Sequence, residues 1–253
     1  MPEPDVTYIL KLCYDGTNYY GWQKQPDVPT VQGVLEENLR KLFSFRSLRT
    51  VGASRTDRGV HAEGQVASFA APMKYEADDL AKRLNKMLPD DIAVVESRVS
   101  SGRFNARFDA KAKLYRYTIL LQKNPLLMRY GWWLKSLKSS SISSLLEALN
   151  EMARNITGSH DFSAFSVVRD LPENPLCDIY DARWEVVDST LRFEIRGNRF
   201  LHKMVRSLVG GMVDALLGKL DADEFTLMIN TGKRTAEYIT APSRGLTLVE
   251  VEY

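Results

Sequence analysis

The sequence predicts an α+β fold made of two ferredoxin-like halves, and three observations predict it. Strand-like alternation and helix-like periodicity interleave along the chain; the order β-α-β-β-α-β is spelled twice; and each half closes on a strand. The halves are expected at residues 1–106 and 107–253, each an antiparallel sheet with helices on one face and the other face left open.

Val6 to Tyr14 alternates and is rich in β-branched and aromatic residues, which predicts a strand. Thr30 then offers an N-cap to an amphipathic helix with Val31, Val34, Leu35, Leu39 and Leu42 on one face. Arg49 to Ala53 and Gln65 to Phe69 read as short strands flanking a Gly-containing loop. Asp78 to Leu88 reads as a helix stopped by Pro89, and Ile92 to Val99 as the closing strand. The second half repeats the order: strand Lys113 to Leu121, helix Ser141 to Ile156, hairpin strands Asp181 to Val187 and Leu191 to Arg196, helix Arg199 to Leu217, strand Leu246 to Tyr253. Leu121 to Ser140 and Ser166 to Leu176 fall outside the repeat and read as insertions. An open sheet face can hold a strand or stem of RNA, as related sheet modules do, so the free faces are expected to form an RNA-binding cleft.

Composition bounds the function. The chain has 253 residues, of which 44% are hydrophobic and 26% charged, as in an ordinary globular protein. Cys13 and Cys177 lack CxxC spacing, so neither a disulfide framework nor a zinc knuckle is expected, and a reducing cytoplasm is. Met1 to Pro4 begins no signal peptide and no apolar run is long enough to span a bilayer, so no membrane association is expected. His61, His160 and His202 lack metal-ligand spacing; clustered carboxylates and a phosphate-cradling glycine loop, which a nuclease or phosphotransferase would want, are also missing. Neither metal nor nucleotide cofactor is expected. Net charge is only +2, so a polyanion partner must be argued from local charge: Arg98, Arg103, Arg107, Lys111, Lys113 and Arg116 stand against Asp109 alone.

The run Gly52-Ala53-Ser54-Arg55-Thr56-Asp57-Arg58-Gly59-Val60-His61-Ala62 packs small residues, a carboxylate, two guanidiniums and an imidazole between two expected strands. On local pattern it is a polar turn, Asp57 bonding nearby amides. It also resembles the catalytic motif of the TruA family of tRNA pseudouridine synthases, and further blocks follow in family order. These are Tyr14-Asp15-Gly16-Thr17-Asn18-Tyr19-Tyr20-Gly21-Trp22-Gln23, Thr30-Val31-Gln32-Gly33-Val34-Leu35-Glu36, Arg107-Phe108-Asp109-Ala110 leading to Tyr115-Arg116-Tyr117, Gly158 to Phe165, Phe200 to Arg206, and Ala241 to Leu246.

The resemblance implies an enzyme that isomerises uridine to pseudouridine in the anticodon stem-loop of tRNA, at tRNA positions 38, 39 and 40, as a homodimer and with no cofactor. It implies that Asp57 is the essential carboxylate, as nucleophile toward C1′ or C6 or as base toward the ribose. Tyr115 corresponds to the active-site tyrosine against the uracil, and Arg206 to the basic residue that holds Asp57 ionised. Arg55 accompanies base extrusion. His61 orders the loop or touches RNA backbone, and Arg58, Arg103, Arg107 and Lys111 join the RNA contacts. Each has a plainer reading: Tyr115 shares strand parity with Tyr117 and Ile119 as a core residue would, and Arg199, Lys203 and Arg206 could form a solvated helix face. Arg58 departs from the family, where many members carry a small residue or lysine, and Arg244 likewise adds charge. The segment Val167 to Asp178, with Asp170, Glu173 and Asp178 against Arg169, is acidic for an RNA contact. Alternatives are the same chemistry on other tRNA positions or another structured RNA, or a catalytically silent tRNA-binding or tRNA-folding protein.

Overall fold

A computed structural model describes residues 5–136 and 142–253; Met1 to Pro4 and Ser141, the expected helix start, lie outside the described residues. The chain divides into two compact units, residues 1–111 with 248–253, and residues 112–247.

In the first unit the elements run Asp5–Tyr14 (β1), Val31–Phe43 (α1), Val51–Gly52 (β2), His61–Pro72 (β3), Ala77–Asn85 (α2) and Ile92–Ser100 (β4). β1 lies between β4 and β3, antiparallel to both, and β2 pairs antiparallel with β3. The end of the chain, residues 248–253, returns beside β3. Alternation along β1 sends Tyr8, Leu10, Leu12 and Tyr14 into the core, and α1 covers them with Val31, Leu35, Leu39 and Phe43. Phe43 meets Tyr8 edge-on at 5.4 Å, and Tyr8 stacks on Phe69 at 5.1 Å. The Thr30 hydroxyl accepts from the Gly33 amide, as a cap should.

Two boundaries differ from the sequence reading for physical reasons. The strand expected at Arg49 to Ala53 shrinks to two residues, because the Thr50 amide donates to the Glu36 carboxylate and its carbonyl accepts from Gln32 of α1, not from a strand. The helix expected to reach Leu88 ends at Asn85, whose side chain bonds both the amide and carbonyl of Val94 at 2.8 Å.

The second unit holds Ala112–Leu120 (β5), Trp132–Trp133 (β6), Ile142–Ile156 (α3), Gly158–Asp161 (β7), Leu176–Val187 (β8), Thr190–Gly197 (β9), Met204–Leu216 (α4), Ala222–Thr231 (α5) and the start of Leu246–Glu252 (β10). Here the strand order is β5-β9-β8-β7, each pair antiparallel, with β6 parallel to β5. Trp184 packs on Phe193 at 5.0 Å, and Phe165 on Phe225 at 5.2 Å. The elements β6, β7 and α5 have no counterpart in the sequence reading. Pairing of β7 with β8, His160 opposite Cys177, draws Leu176 to Asp178 out of the supposed insertion and into a strand.

The helix expected from Arg199 begins only at Met204, because Lys203 sits in the left-handed region at φ 63° and turns the chain. Arg199 and Lys203 therefore do not share a helix face with Arg206, which overturns the expected basic stripe. Among the described residues no helix is long and apolar enough to cross a membrane.

Candidate active site

The loop carrying Asp57 is gripped from several sides. At its start the Ala53 amide donates to the Val66 carbonyl at 2.8 Å, and Gln65, wholly buried, bonds both the amide (3.1 Å) and carbonyl (2.7 Å) of Ser54. At its middle the Tyr14 hydroxyl is 2.7 Å from the Thr56 hydroxyl, and the Trp22 amide donates to the Thr56 carbonyl at 3.0 Å. At its end the Gly59 amide donates to the Tyr19 carbonyl, and the Val60 amide to the carbonyl of Asp57 itself. Gly21, at φ 90°, lies so close that a Cβ there would stand 2.5 Å from the Thr56 carbonyl oxygen. Backbone anchors along its length and a buried glutamine thus hold an otherwise irregular segment in one shape. The carboxylate-bearing residue is half-buried, while Arg55 and Arg58 on either side are exposed.

Arg58 lies over the ring of Tyr20, 4.0 Å from its centroid. His61 opens β3 and is only 4% exposed; its Nδ1 is 3.1 Å from both the Gly16 amide and the Asp15 carboxylate. That nitrogen accepts from Gly16 when bare and donates to Asp15 when protonated, so either state ties β3 to the segment after β1.

Arg103, Arg107 and Lys111 are exposed in the first unit, Arg107 lying 5.7 Å from the ring centroid of Phe108. Arg98 is bonded to Glu96 at 2.6 Å and Arg116 to Glu194 at 3.2 Å, so these two ends of the basic stretch already face carboxylates. A groove of about 680 Å³ brings Arg55 and Arg107 together with Trp22, Gln32 and Glu36 of the two opening blocks, and with Arg40, Arg46 and Arg49, which lie outside every matched block. Glu36, 2% exposed, accepts from Lys24, Gln32 and Thr50 and so fixes the chain on either side of Trp22 and β2.

Tyr115 and Arg206 belong to the second unit. Tyr115 shares the inward face of β5 with Tyr117 and Ile119, at 6% exposure, and meets Phe200 edge-on at 5.1 Å. Tyr117 donates its hydroxyl to the Pro242 carbonyl at 2.8 Å. Arg206, half-buried on α4, donates Nε to the Ala241 carbonyl at 2.8 Å, and the Ala241 amide returns a bond to the Arg206 carbonyl at 3.0 Å. Burial drives the Tyr117 phenol well above the usual tyrosine range, and the charges of Arg206 and Arg244 pull it back. In the acidic segment Asp170 is bonded to His202 at 2.6 Å, which together with Arg169 lowers its pKa. Among the described residues no group of three or more His, Cys, Asp or Glu side chains is gathered as a metal site requires.

A clamped, half-buried carboxylate with an exposed arginine on either side is an arrangement suited to nucleophilic or general-base chemistry on an anionic substrate. A family model described as tRNA pseudouridine synthase matches residues 12–109 and 152–253, and the chain belongs to that family. Within it, the chain is 38% identical over 247 residues to tRNA pseudouridine synthase A of Borrelia turicatae, covering 97% of this chain and 98% of that protein. It is 41% identical over 245 residues to the enzyme of the same name from Acetivibrio thermocellus (96% and 98% covered), and 38% identical over 253 residues to that of Methylacidiphilum infernorum (98% and 96%).

Proposed function

We propose that this chain converts uridine to pseudouridine in tRNA, at positions 38, 39 and 40 of the anticodon stem-loop, with Asp57 as the essential carboxylate. The observation that carries the reading is the loop itself: a half-buried aspartate on a backbone anchored at Ala53, Ser54, Thr56, Gly59 and Val60, flanked by exposed Arg55 and Arg58. Such anchoring serves positional catalysis, where a misplacement of about 1 Å costs on the order of a hundred-fold.

The reaction breaks the N1–C1′ bond, turns the uracil and joins C5 to C1′, while the C5 proton leaves and N1 gains one. Nothing is oxidised and no group departs. Asp57 serves as nucleophile at C1′ or C6, or as base toward the ribose. Tyr115 and Arg206 are assigned to the same chemistry, Tyr115 against the uracil ring and Arg206 as its cationic member. Arg55, exposed beside Asp57, fills the stack left by the extruded base. Arg58, Arg103, Arg107 and Lys111 meet phosphates, and His61 orders the loop. The enzyme works as a homodimer in the cytoplasm, which sedimentation of the purified protein and fractionation of cells test.

Asp57→Asn keeps the shape of the side chain and removes its charge. It should abolish conversion of tRNA uridine, read by position-resolved pseudouridine mapping, while tRNA affinity stays within a few-fold of the parent. Retained activity would remove the mechanism, and modification mapped outside positions 38, 39 and 40 would move the substrate site.

A further inference from the structure

The groove of about 680 Å³ in the first unit has a charge balance unlike that of the chain. Over the whole sequence 34 Lys and Arg nearly cancel 32 Asp and Glu. Lining the groove are Lys24, Arg40, Arg46, Arg49, Arg55 and Arg107, against Glu36 as the lone acid among the described residues. Glu36 is already committed, since its carboxylate takes Lys24 at 3.2 Å, Gln32 at 3.1 Å and the Thr50 amide at 2.9 Å. Five guanidiniums thus line one concavity in which Glu36 is the single described carboxylate. Cations so gathered raise the positive potential of the concavity and so the local concentration of any anion.

Two further observations give that anion a chemistry. The Nε of Arg40 is buried and has no hydrogen-bond partner among the described residues, although a buried donor normally finds one. At the rim, Phe108 is 78% exposed, with the Arg107 guanidinium 5.7 Å from its ring centroid. Cationic lining with an exposed aromatic beside it is how proteins track a nucleic-acid strand, phosphates on the cations and a base on the ring. A free anion would use the cations and leave Phe108 without a role.

We propose that this groove binds the sugar-phosphate backbone of the substrate RNA next to the nucleotide being modified. Arg40, Arg46 and Arg49 are phosphate contacts and Phe108 is a stacking surface for a neighbouring base. Arg55, which lines the groove and stands two residues before Asp57, joins this track to the reaction site. The proposal rests on the reading of the chain as a tRNA uridine isomerase, and adds a substrate track formed by the end of α1 and the segment leading into β2.

The test uses the full chain and unmodified tRNA transcript. Arg46→Gln with Arg49→Gln removes two exposed charges and should leave thermal stability near that of the parent. Affinity for tRNA should fall about ten-fold or more near 0.1 M salt, and the slope of log affinity against log salt should flatten by about 2, roughly 1 for each phosphate no longer neutralised. The loss should appear in KM, with kcat at saturating tRNA falling far less. Lys41→Gln with Arg83→Gln, the same removal of charge outside the groove, should change the slope by less than half as much. Phe108→Ala should weaken binding with the salt slope intact, as loss of stacking would.

Wild-type affinity and slope in the Arg46/Arg49 variant, with Asp57→Asn inactive in the same assay, would overturn the groove and leave the isomerase standing. Equal slope changes in the two double variants would also overturn it, by showing a diffuse charge effect. A parent protein that converts no tRNA uridine would sink the functional reading, and the groove with it.

Discussion

Replacing Gly21 by alanine should slow the reaction more than it harms the fold. Gly21 stands at φ 90°, where a side chain costs about 1–2 kcal/mol. The added Cβ would lie 2.5 Å from the Thr56 oxygen and 3.0 Å from the Asp57 carbonyl carbon, so the loop must yield by about half an ångström to reach even the 3.0 Å floor seen for such contacts. Yielding stretches the bond from the Trp22 amide to Thr56, 3.0 Å in the parent and worth about 1 kcal/mol. The total is about 2–3 kcal/mol, which for a chain of this size lowers Tm by roughly 5–10 °C. Because the displaced atoms belong to Thr56 and Asp57, the same shift moves the carboxylate. A misplacement of about 1 Å costs on the order of a hundred-fold in rate, so a shift of about half that should cost about ten-fold. Calorimetry supplies the first number and single-turnover conversion at saturating tRNA the second. A variant with the expected drop in Tm but a rate within two-fold of the parent would refute the idea that this contact sets the position of Asp57.

Glu36→Ala strands the buried donors of Gln32 and Thr50, while Lys24, 56% exposed, is left to water, and should cost about 2–4 kcal/mol in urea unfolding; a loss below 0.5 kcal/mol, on the order of an ordinary surface change, would contradict the network. Tyr117→Phe orphans the Pro242 carbonyl and should cost about 1–3 kcal/mol. It also removes an alkaline liability. Burial, joined at Tyr19 by Asp91, raises Tyr117, Tyr19 and Tyr253 in the fold, whereas an unfolded tyrosine titrates near about 10. The folded state then holds protons that the unfolded state loses, so this stability is full below about pH 10 and fades above it. The urea midpoint should fall above that pH, less steeply in Tyr117→Phe; equal slopes would refute the assignment. Burial, with Arg199 opposing and Asp178 and Asp161 adding, pushes the Cys177 thiol up to about 11, so iodoacetamide at pH 8 should spare it in the native protein; labelling as fast as in denaturant would refute its burial.

The first unit is largely legible in the sequence because its elements announce themselves locally. Alternation along β1 and the Thr30 cap of α1 need no partner to be read, and both stand as expected. Legibility fails where a side chain from elsewhere decides a boundary. Nothing within Arg49 to Ala53 says that the backbone of Thr50 will bond Glu36 and Gln32, so the pattern predicts a strand where α1 takes the hydrogen bonds. The helical spacing read from Arg199 to Leu217 runs on without a break in sequence, but Lys203 at positive φ turns the chain, and lysine gives no local sign of that conformation. The short strands β6 and β7 depend on β5 and β8 for every ladder bond, which no single window displays.

The site is legible as a motif and not as a structure. The carboxylate, its flanking arginines and the imidazole can be picked from eleven consecutive residues, yet what holds them lies mostly outside that run. Tyr14 reaches Thr56 across 42 residues, Gly16 meets His61 across 45, and the chain from Tyr19 to Trp22 bonds Gly59 and Thr56. The opening block and the Asp57 loop are therefore one physical object written in two places. Its glycine at position 21 exists to let two backbones touch, and its Tyr14 to present a hydroxyl to the far one. An Asp-containing turn in solvent samples many shapes, whereas in this one the amides of Ala53, Ser54, Gly59 and Val60 and the carbonyls of Ser54, Thr56 and Asp57 are already taken up. Arg40, Arg46 and Arg49 escape notice for the opposite reason. Each is an ordinary surface arginine in sequence, and only folding α1 against the segment before β2 turns them into one wall.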